Sequence, residues 1–148
     1  MLCATFPGTG TMTPPSSAAT RALTSGNVQE VMADLFPANQ GAAQQAHLAA
    51  VAAYPPHAPA PAAAIAAQGH AMNVWSGGTD PAGQQTATIS APTLIADGTV
   101  DRLDPVANDY ALARLIPGAR LELYPDAGRA FMFQDENAFA SLIESFLR

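Results

Sequence analysis

The sequence predicts an α/β fold in which parallel strands alternate with helices, and two observations support this. In the C-terminal half, short apolar stretches that are typical of strands alternate with longer amphipathic stretches that are typical of helices. This order is characteristic of parallel sheets with right-handed crossovers. Before that half lies an alanine-rich section, residues 14–75, which predicts helices alone. We therefore expect three parallel strands and a separate helical section.

The N-terminal part predicts one strand and two helices. Met1–Phe6 is an apolar run that stops at a Pro-Gly pair, and it is interpreted as a buried strand. A short helix is predicted at Ser17–Leu23. A clearer helix follows Asn27, whose side chain can cap it, carries one apolar stripe, and ends at Pro37.

The alanine-rich section predicts two further helices, at Gln40–Tyr54 and Pro61–Trp75, separated by a stretch with four prolines. Alanine favours helix but buries little apolar surface. These helices therefore indicate a loosely packed layer rather than a rigid core. A polar loop is predicted at Ser76–Gln85.

The second strand is predicted at Thr93–Ala96, an apolar run that leads into Asp97 and Gly98. Asp104 and Pro105 then predict the start of a helix, with the aspartate as cap and the proline at the first helical position. The apolar face of this helix is expected to comprise Val106, Tyr110, Ala113 and Ile116.

The third strand is predicted at Arg120–Tyr124, where leucines alternate with charged residues. Asp135 is expected to cap the last helix. The apolar stripe of this helix is expected to comprise Phe139, Leu142, Ile143, Phe146 and Leu147.

Composition excludes several function classes. The chain of 148 residues has a net charge of −6, and its six basic residues are scattered arginines. Nucleic acid is therefore not an expected partner, and an anionic membrane surface is not one either. No apolar run is long enough to span a bilayer, and the N-terminus lacks a basic region typical of a secretory signal. We expect a cytoplasmic location.

No metal or cofactor is expected. The single cysteine, Cys3, excludes an intrachain disulfide and a Cys-based zinc cluster. His47, His57 and His70 do not have the spacing of metal ligands, and no carboxylate cluster joins them. These histidines are interpreted as solvated cap residues.

Two short motifs follow the second and third strands. Gly98-Thr99-Val100-Asp101 follows one, and Asp126-Ala127-Gly128-Arg129 follows the other. The carboxyl ends of neighbouring parallel strands meet at one edge of a sheet, where open α/β sheets bind ligands. These motifs resemble the C-terminal portion of the α/β-hydrolase fold family, well over residues 88–148 and more weakly over Met1–Pro15.

The resemblance implies a role for each part of the chain. Asp101 would occupy the position of the triad acid, and Arg129 the position of the catalytic histidine. Residues 1–13 and 76–148 would form a partial hydrolase core, and residues 14–75 a helical cap over the active site. Arginine stays protonated at working pH, so Arg129 cannot act as a general base.

The nucleophile of this family is also absent from the sequence. It would lie in a G-x-S-x-G turn, and Ser76 has Val74 where a glycine is required. In the family's chain order the serine would precede Met1. Two members of the triad are therefore missing.

The residues near the strand ends also have simpler interpretations. Asp101 could be a loop residue beside Arg102, Asp97 a polar residue at a strand end, and Asp104 a helix cap. Arg129 is expected to lie on the surface or to pair with Asp101 rather than to catalyse a reaction.

Two hypotheses for function remain. The first is the C-terminal portion of a serine hydrolase or esterase-like protein that is inactive alone and needs an N-terminal half to supply the serine. The second is a non-catalytic small-molecule-binding or interaction module, with an apolar ligand under the cap and Arg129 fixing an anionic group. In either case the unpaired apolar edge at Met1–Phe6 is expected to promote self-association.

Overall fold

The computed structural model describes residues 1–55 and 58–148. Its strands are β1 (Leu2–Cys3), β2 (Leu94–Gly98) and β3 (Arg120–Tyr124). Its α-helices are α1 (Ser17–Thr24), α2 (Val28–Leu35), α3 (Gly41–Ala52), α4 (Ala62–Ser76), α5 (Pro81–Gln84), α6 (Ala107–Leu115), α7 (Phe131–Gln134) and α8 (Glu136–Leu147). Short 3₁₀ turns occupy Ala38–Gln40 and Thr86–Thr88.

The strands form one parallel sheet in the order β1-β2-β3, which confirms the predicted fold class. β2 is buried along its whole length and pairs with β3 over five residues, from Leu94 opposite Arg120 to Gly98 opposite Tyr124. The apolar run that predicted β2 reflects this burial, because helices or loops cover both faces of a central parallel strand.

The predicted strand at Met1–Phe6 is wrong in length and burial. β1 has two residues, both half-buried, and Met1 is exposed. Ala4 ends the strand because its φ of +46° takes the backbone out of the extended region. The apolar pattern could not reveal this turn.

The two faces of β2 contact different helices. Leu94 and Ala96 point to one face, where they pack with Tyr124, Phe131 and the buried Leu142 of α8. Ile95 points to the other face and packs with two residues of α6 and its end, Leu112 and Ile116. This alternation follows from the two-residue period of a strand.

The start of α6 differs from the prediction, and its predicted apolar face packs in the core at Ala113 and Ile116 but not at Tyr110. The helix begins at Ala107, its cap Val106 makes no side-chain hydrogen bond, and Asp104 lies before it. Its buried face includes Asn108, Asp109 and Leu112, whereas Tyr110 is 46% exposed.

Polar contacts explain why α6 buries Asn108. The side chain of Asn108 accepts a hydrogen bond from Thr13 N (2.7 Å) and donates to Thr13 O (2.9 Å) and Asp104 Oδ1 (2.6 Å). A buried amide that is satisfied in this way is stable in the core. A pattern of apolar residues cannot reveal it.

The helices α2 and α3 pack against Ala130 and α7, which follow β3, and α1 packs against α2. Asn27 caps α2 as predicted, its Oδ1 accepting from Gln29 N at 3.0 Å. His47 of α3 lies between Phe36 and Phe133, with ring centroids 5.5 and 4.6 Å away. Its interpretation as a solvated cap residue is therefore wrong.

α4 is the least buried helix of the described chain. Its residues from Ala62 to Asn73 are all exposed, including His70, and only its last turn is sheltered. There the indole of Trp75 donates to Phe6 O at 3.0 Å. The prediction for His57 lies outside the described residues.

Two further helices, α5 and α8, refine the sequence predictions. The predicted loop Ser76–Gln85 contains α5, which Asp80 caps through Ala82 N at 2.8 Å. Asp135 caps α8 as predicted, through Ala138 N at 3.4 Å. Leu147, expected in the apolar stripe of α8, is 76% exposed. Across the described ranges, no helix is both long and apolar enough to cross a membrane.

Candidate functional site

The loops after β2 and β3 hold each other at the carboxyl edge of the sheet. Thr99 N donates to Tyr124 O (3.0 Å), Val100 N donates to Ala127 O (3.0 Å), and Asp126 N donates to the hydroxyl of Thr99 (2.9 Å). A Cβ on Gly98 would overlap the carbonyl oxygen of Ala127. The glycine therefore allows the two loops to approach.

Asp101 is fixed by these loops in a fully buried position. Its Oδ1 accepts from Leu103 N (2.7 Å) and Asp104 N (2.9 Å), and its Oδ2 accepts from Arg129 Nη1 (3.3 Å). Burial raises the pKa of this carboxyl, and the donors from Arg129 and the backbone oppose the rise. Both oxygens face donors only, which fits the ionised form.

Arg129 joins the ends of all three strands. Besides Asp101 after β2, its Nη2 donates to the carbonyl oxygen of Ala4 after β1 (3.1 Å), while the residue itself follows β3. Its side chain is 35% exposed. The sequence thus placed Asp101 and Arg129 correctly at one edge, and the ion pair considered between them is present.

A second group of acids lies beneath this edge, and the sequence did not indicate it as a group. Asp97, Asp104 and Asp109 are buried, and Asp97 Oδ1 accepts only from Gly98 N (2.6 Å). Burial, followed by the charge of Asp101, raises the pKa of Asp97 to about 9. Burial, followed by the charge of Asp104, raises the pKa of Asp109 to about 7.

Two of these acids, Asp97 and Asp109, are buried without enough donors to stabilise two negative charges. As carboxylates, Asp97 Oδ2 and both oxygens of Asp109 have no donor among the described residues. A proton on Asp97 would supply a donor to a neighbouring carboxyl oxygen, and burial, which raises the pKa of both Asp97 and Asp109, favours such a protonated form. The residues that the structure describes contain no group of three or more His, Cys, Asp or Glu that could hold a metal.

Arg129, the partner of Asp101, lines a cavity of about 660 Å³. Its floor includes Leu103, Asp104 and Arg129. Its walls come from the segment before α1 and from α1, α2 and α4, and they are mainly apolar. The residues of these walls are Phe6, Met12, Pro14, Pro15, Leu23, Val31, Leu35, Met72, Asn73 and Ser76.

Ser76, the serine with the nearest resemblance to a nucleophile, lies in the wall of this cavity. Its hydroxyl donates to Asn73 O at 3.3 Å, which is a contact within α4. No histidine is its hydrogen-bond partner in the described part of the chain. A smaller cavity of about 480 Å³ lies beside Asp101 and Arg102, where Arg102 pairs with the buried Asp34 at 2.9 Å.

Comparison of the sequence with protein-family models and with curated proteins gives no match. Comparison of the structure with solved structures gives several. An alpha/beta hydrolase fold protein from Chitinophaga pinensis is similar with a TM-score of 0.73 and 24% identity, over 93% of this chain and 54% of that one.

Two enzymes are similar at lower scores. Est816, described as an N-acyl homoserine lactone degrading enzyme, gives a TM-score of 0.58 and 21% identity, over 97% of this chain and 56% of Est816. A thermophilic esterase from Thermogutta terrifontis gives a TM-score of 0.54 and 19% identity, over 91% of this chain and 52% of the esterase.

The chain spans about half the length of the solved structures that it matches. Within this chain the matches cover 91–97% of the residues. They thus take in most of the three-stranded parallel sheet and its surrounding helices. The chain therefore has the α/β-hydrolase fold, in the form of the C-terminal portion of its sheet.

Proposed function

We propose that this chain is the acid-bearing and cap-bearing portion of an α/β-hydrolase scaffold and is not catalytic by itself. The observation that supports this most directly is the ion pair between Asp101 and Arg129. A triad acid must orient a base that takes a proton from the nucleophile. Here the acid is paired with a group that stays protonated and therefore cannot take that proton.

The remaining candidate groups do not supply the missing parts. His47 packs between two phenylalanine rings, and His70 lies on the exposed side of α4. Ser76 hydrogen-bonds within its own helix. In this proposal the nucleophile comes from an N-terminal half, in a longer product or a separate chain, which pairs with the free edge of β1.

The test is an activity assay of the 148-residue chain with a p-nitrophenyl ester and a serine-reactive fluorophosphonate. We expect background hydrolysis and no covalent label. Ser76→Ala serves as the matched control and should behave identically. Turnover well above background that Ser76→Ala abolishes, or a label on Ser76, would show that the chain carries its own nucleophile.

The large cavity favours a second candidate function, the binding of a small apolar molecule under the helical section 14–75, which we interpret as a cap. Its volume of about 660 Å³ lies in the range of ligand sites, which is roughly 300–1,000 Å³. Similar structures include an esterase and an N-acyl homoserine lactone degrading enzyme. The chain has a single tryptophan, Trp75, whose helix lines the cavity. Its fluorescence, followed while a small apolar molecule is added, tests whether that molecule enters the cavity.

A further inference from the structure

We infer that the Asp101–Arg129 ion pair makes the large cavity selective for an uncharged ligand, with an apolar body and one carbonyl oxygen that accepts a hydrogen bond from Arg129. This inference rests on the proposed small-molecule binding. It concerns the chemical class of the ligand and gives Arg129 a role in selection in place of proton transfer.

The apolar body follows from the walls. Leu23 and Met72 line the cavity and are 52% and 50% exposed, although both are large apolar side chains. Phe6, Val31 and Leu35 line the same space. A ligand that covers these side chains removes apolar surface from water, which is favourable in proportion to the area covered.

The carbonyl oxygen follows from the donors at the floor. Arg129 lines the cavity, and its recorded contacts use Nη1 for Asp101 and Nη2 for Ala4 O. A guanidinium has more N–H donors than these two contacts use. A ligand oxygen at the floor can therefore accept from Arg129 without breaking the ion pair.

The absence of ligand charge follows from the balance at the floor. The positive charge of Arg129 faces the negative charge of Asp101 at 3.3 Å, with the buried carboxyl of Asp104 also at the floor. The net charge is therefore zero or negative. A carboxylate or phosphate would meet no unbalanced positive charge and would lose its hydration on entry. A neutral carbonyl has a much smaller desolvation cost and keeps the hydrogen bond.

Three ligands with a similar carbon chain test this inference. Methyl heptyl ketone has a neutral carbonyl, octanoate has a charge, and nonane has neither. Binding to the wild-type chain is followed by Trp75 fluorescence and by calorimetry. We expect the ketone to bind roughly tenfold more tightly than octanoate and nonane, as a hydrogen bond to a charged donor predicts.

Two variants separate charge balance from shape. Asp101→Asn keeps an oxygen that can accept from Leu103 N and Asp104 N but removes one negative charge beside Arg129, so the preference for the ketone over octanoate should fall. Arg129→Met keeps an unbranched, flexible side chain but removes the donor, so the ketone should bind no better than nonane. Circular dichroism shows whether each variant is folded. If one of them does not fold, the other is enough to test the inference.

The outcomes distinguish this inference from the proposed function. If the wild type prefers octanoate, or binds nonane as tightly as the ketone, the inferred ligand class is wrong but small-molecule binding stands. If Arg129→Met keeps its preference for the ketone, Arg129 is not the donor. If none of the three ligands binds, the proposed binding function fails and the inference fails with it.

Discussion

Arg129 contacts the residues that follow two strands other than its own, Ala4 after β1 and Asp101 after β2. Arg129 therefore fastens the loop after β3 to the loop that carries Asp101 and to the segment that follows β1.

Removal of Arg129 should destabilise the fold. Arg129→Met leaves the buried carboxylate of Asp101 without its charged partner, and we expect a loss of roughly 1–3 kcal/mol in the free energy of unfolding. The lower values allow for the partial exposure of the arginine. Urea denaturation measures this change.

A matched control is Arg120→Met, which breaks the exposed pair with Glu122 (3.2 Å). That change should be under about 1 kcal/mol. In the double variant Asp101→Asn with Arg129→Met, most of the lost stability should return because no unpaired charge remains. Equal losses for Arg129→Met and Arg120→Met would mean that the ion pair has no structural role.

Gly98 should tolerate no side chain. A Cβ there would overlap backbone atoms of Ala127 and Gly128, which cannot move without separating the two loops. We expect Gly98→Ala to cost more than about 2 kcal/mol of stability. Gly69→Ala in α4 is the control, since a Cβ there meets nothing within 4 Å, and it should stabilise by up to about 1 kcal/mol. Thermal unfolding midpoints that move in the same direction would contradict this.

At the scale of elements, β2 and α6 bring Asp97 and Asp109 together under the sheet edge. Asp101, Asp104 and Cys3 lie close enough for their charges to interact with this pair. Arg129 is a cation close to Asp101 and Asp104. Burial and the neighbouring negative charges favour a protonated form over two ionised carboxyls here. The junction between β2 and α6 should therefore respond to pH.

The sign of this response follows from the pKa values. Burial raises the pKa of Asp97 from 3.8 to about 9, so the folded chain holds a proton that the unfolded chain releases. Stability should therefore be greatest at low pH as far as this group is concerned. It should fall by about 1 kcal/mol per pH unit as the pH rises from about 4 to about 9.

Denaturation at several pH values tests this prediction. Asp97→Asn should flatten the fall in stability with pH. The free energy of unfolding of the variant minus that of the wild type should therefore be more positive at pH 9 than at pH 5. Glu144→Gln, at an exposed position on α8, should follow the wild-type curve. A profile of Asp97→Asn parallel to that of the wild type would show that no shared proton is held.

The same elements show what sequence reasoning can reach. The position of β2 followed from its apolar run, and the meeting of Asp101 with Arg129 followed from the rule that parallel strands end at one edge. The buried face of α6 did not follow, because Asn108 and Asp109 are polar and only their tertiary partners justify burying them. Propensity is local, whereas Thr13, which both donates to and accepts from the side chain of Asn108, lies 95 residues away in sequence.

At the scale of the whole molecule, β1 is the exposed limit of the sheet. It pairs with β2 on one side, and no strand of the described ranges pairs with its other side. Unpaired strand edges bind other chains. We propose that this edge promotes self-association, or that it accepts an N-terminal half where one is supplied.

Sedimentation velocity tests this proposal. Ala4 N donates toward β2, to Ala96 O at 3.3 Å, so by alternation the N–H of Cys3 faces the free edge. Cys3→Pro should therefore reduce association while keeping the bonds to β2. The control is Leu147→Glu, which removes an exposed apolar side chain from the other end of the chain and should not change association. A folded wild-type chain that remains monomeric would contradict self-association through this edge.

The attachment of α4 through its last turn has a consequence for how this scaffold can change over generations. Only Val74, Trp75 and Ser76 of that helix are sheltered, yet the helix supplies Met72 and Asn73 to the cavity wall. Sequence drift along its exposed turns leaves the sheet core untouched, since those turns contribute little to the buried surface. The breadth of the cavity can thus be retuned by natural variation while the strand-end loops stay under separate constraint.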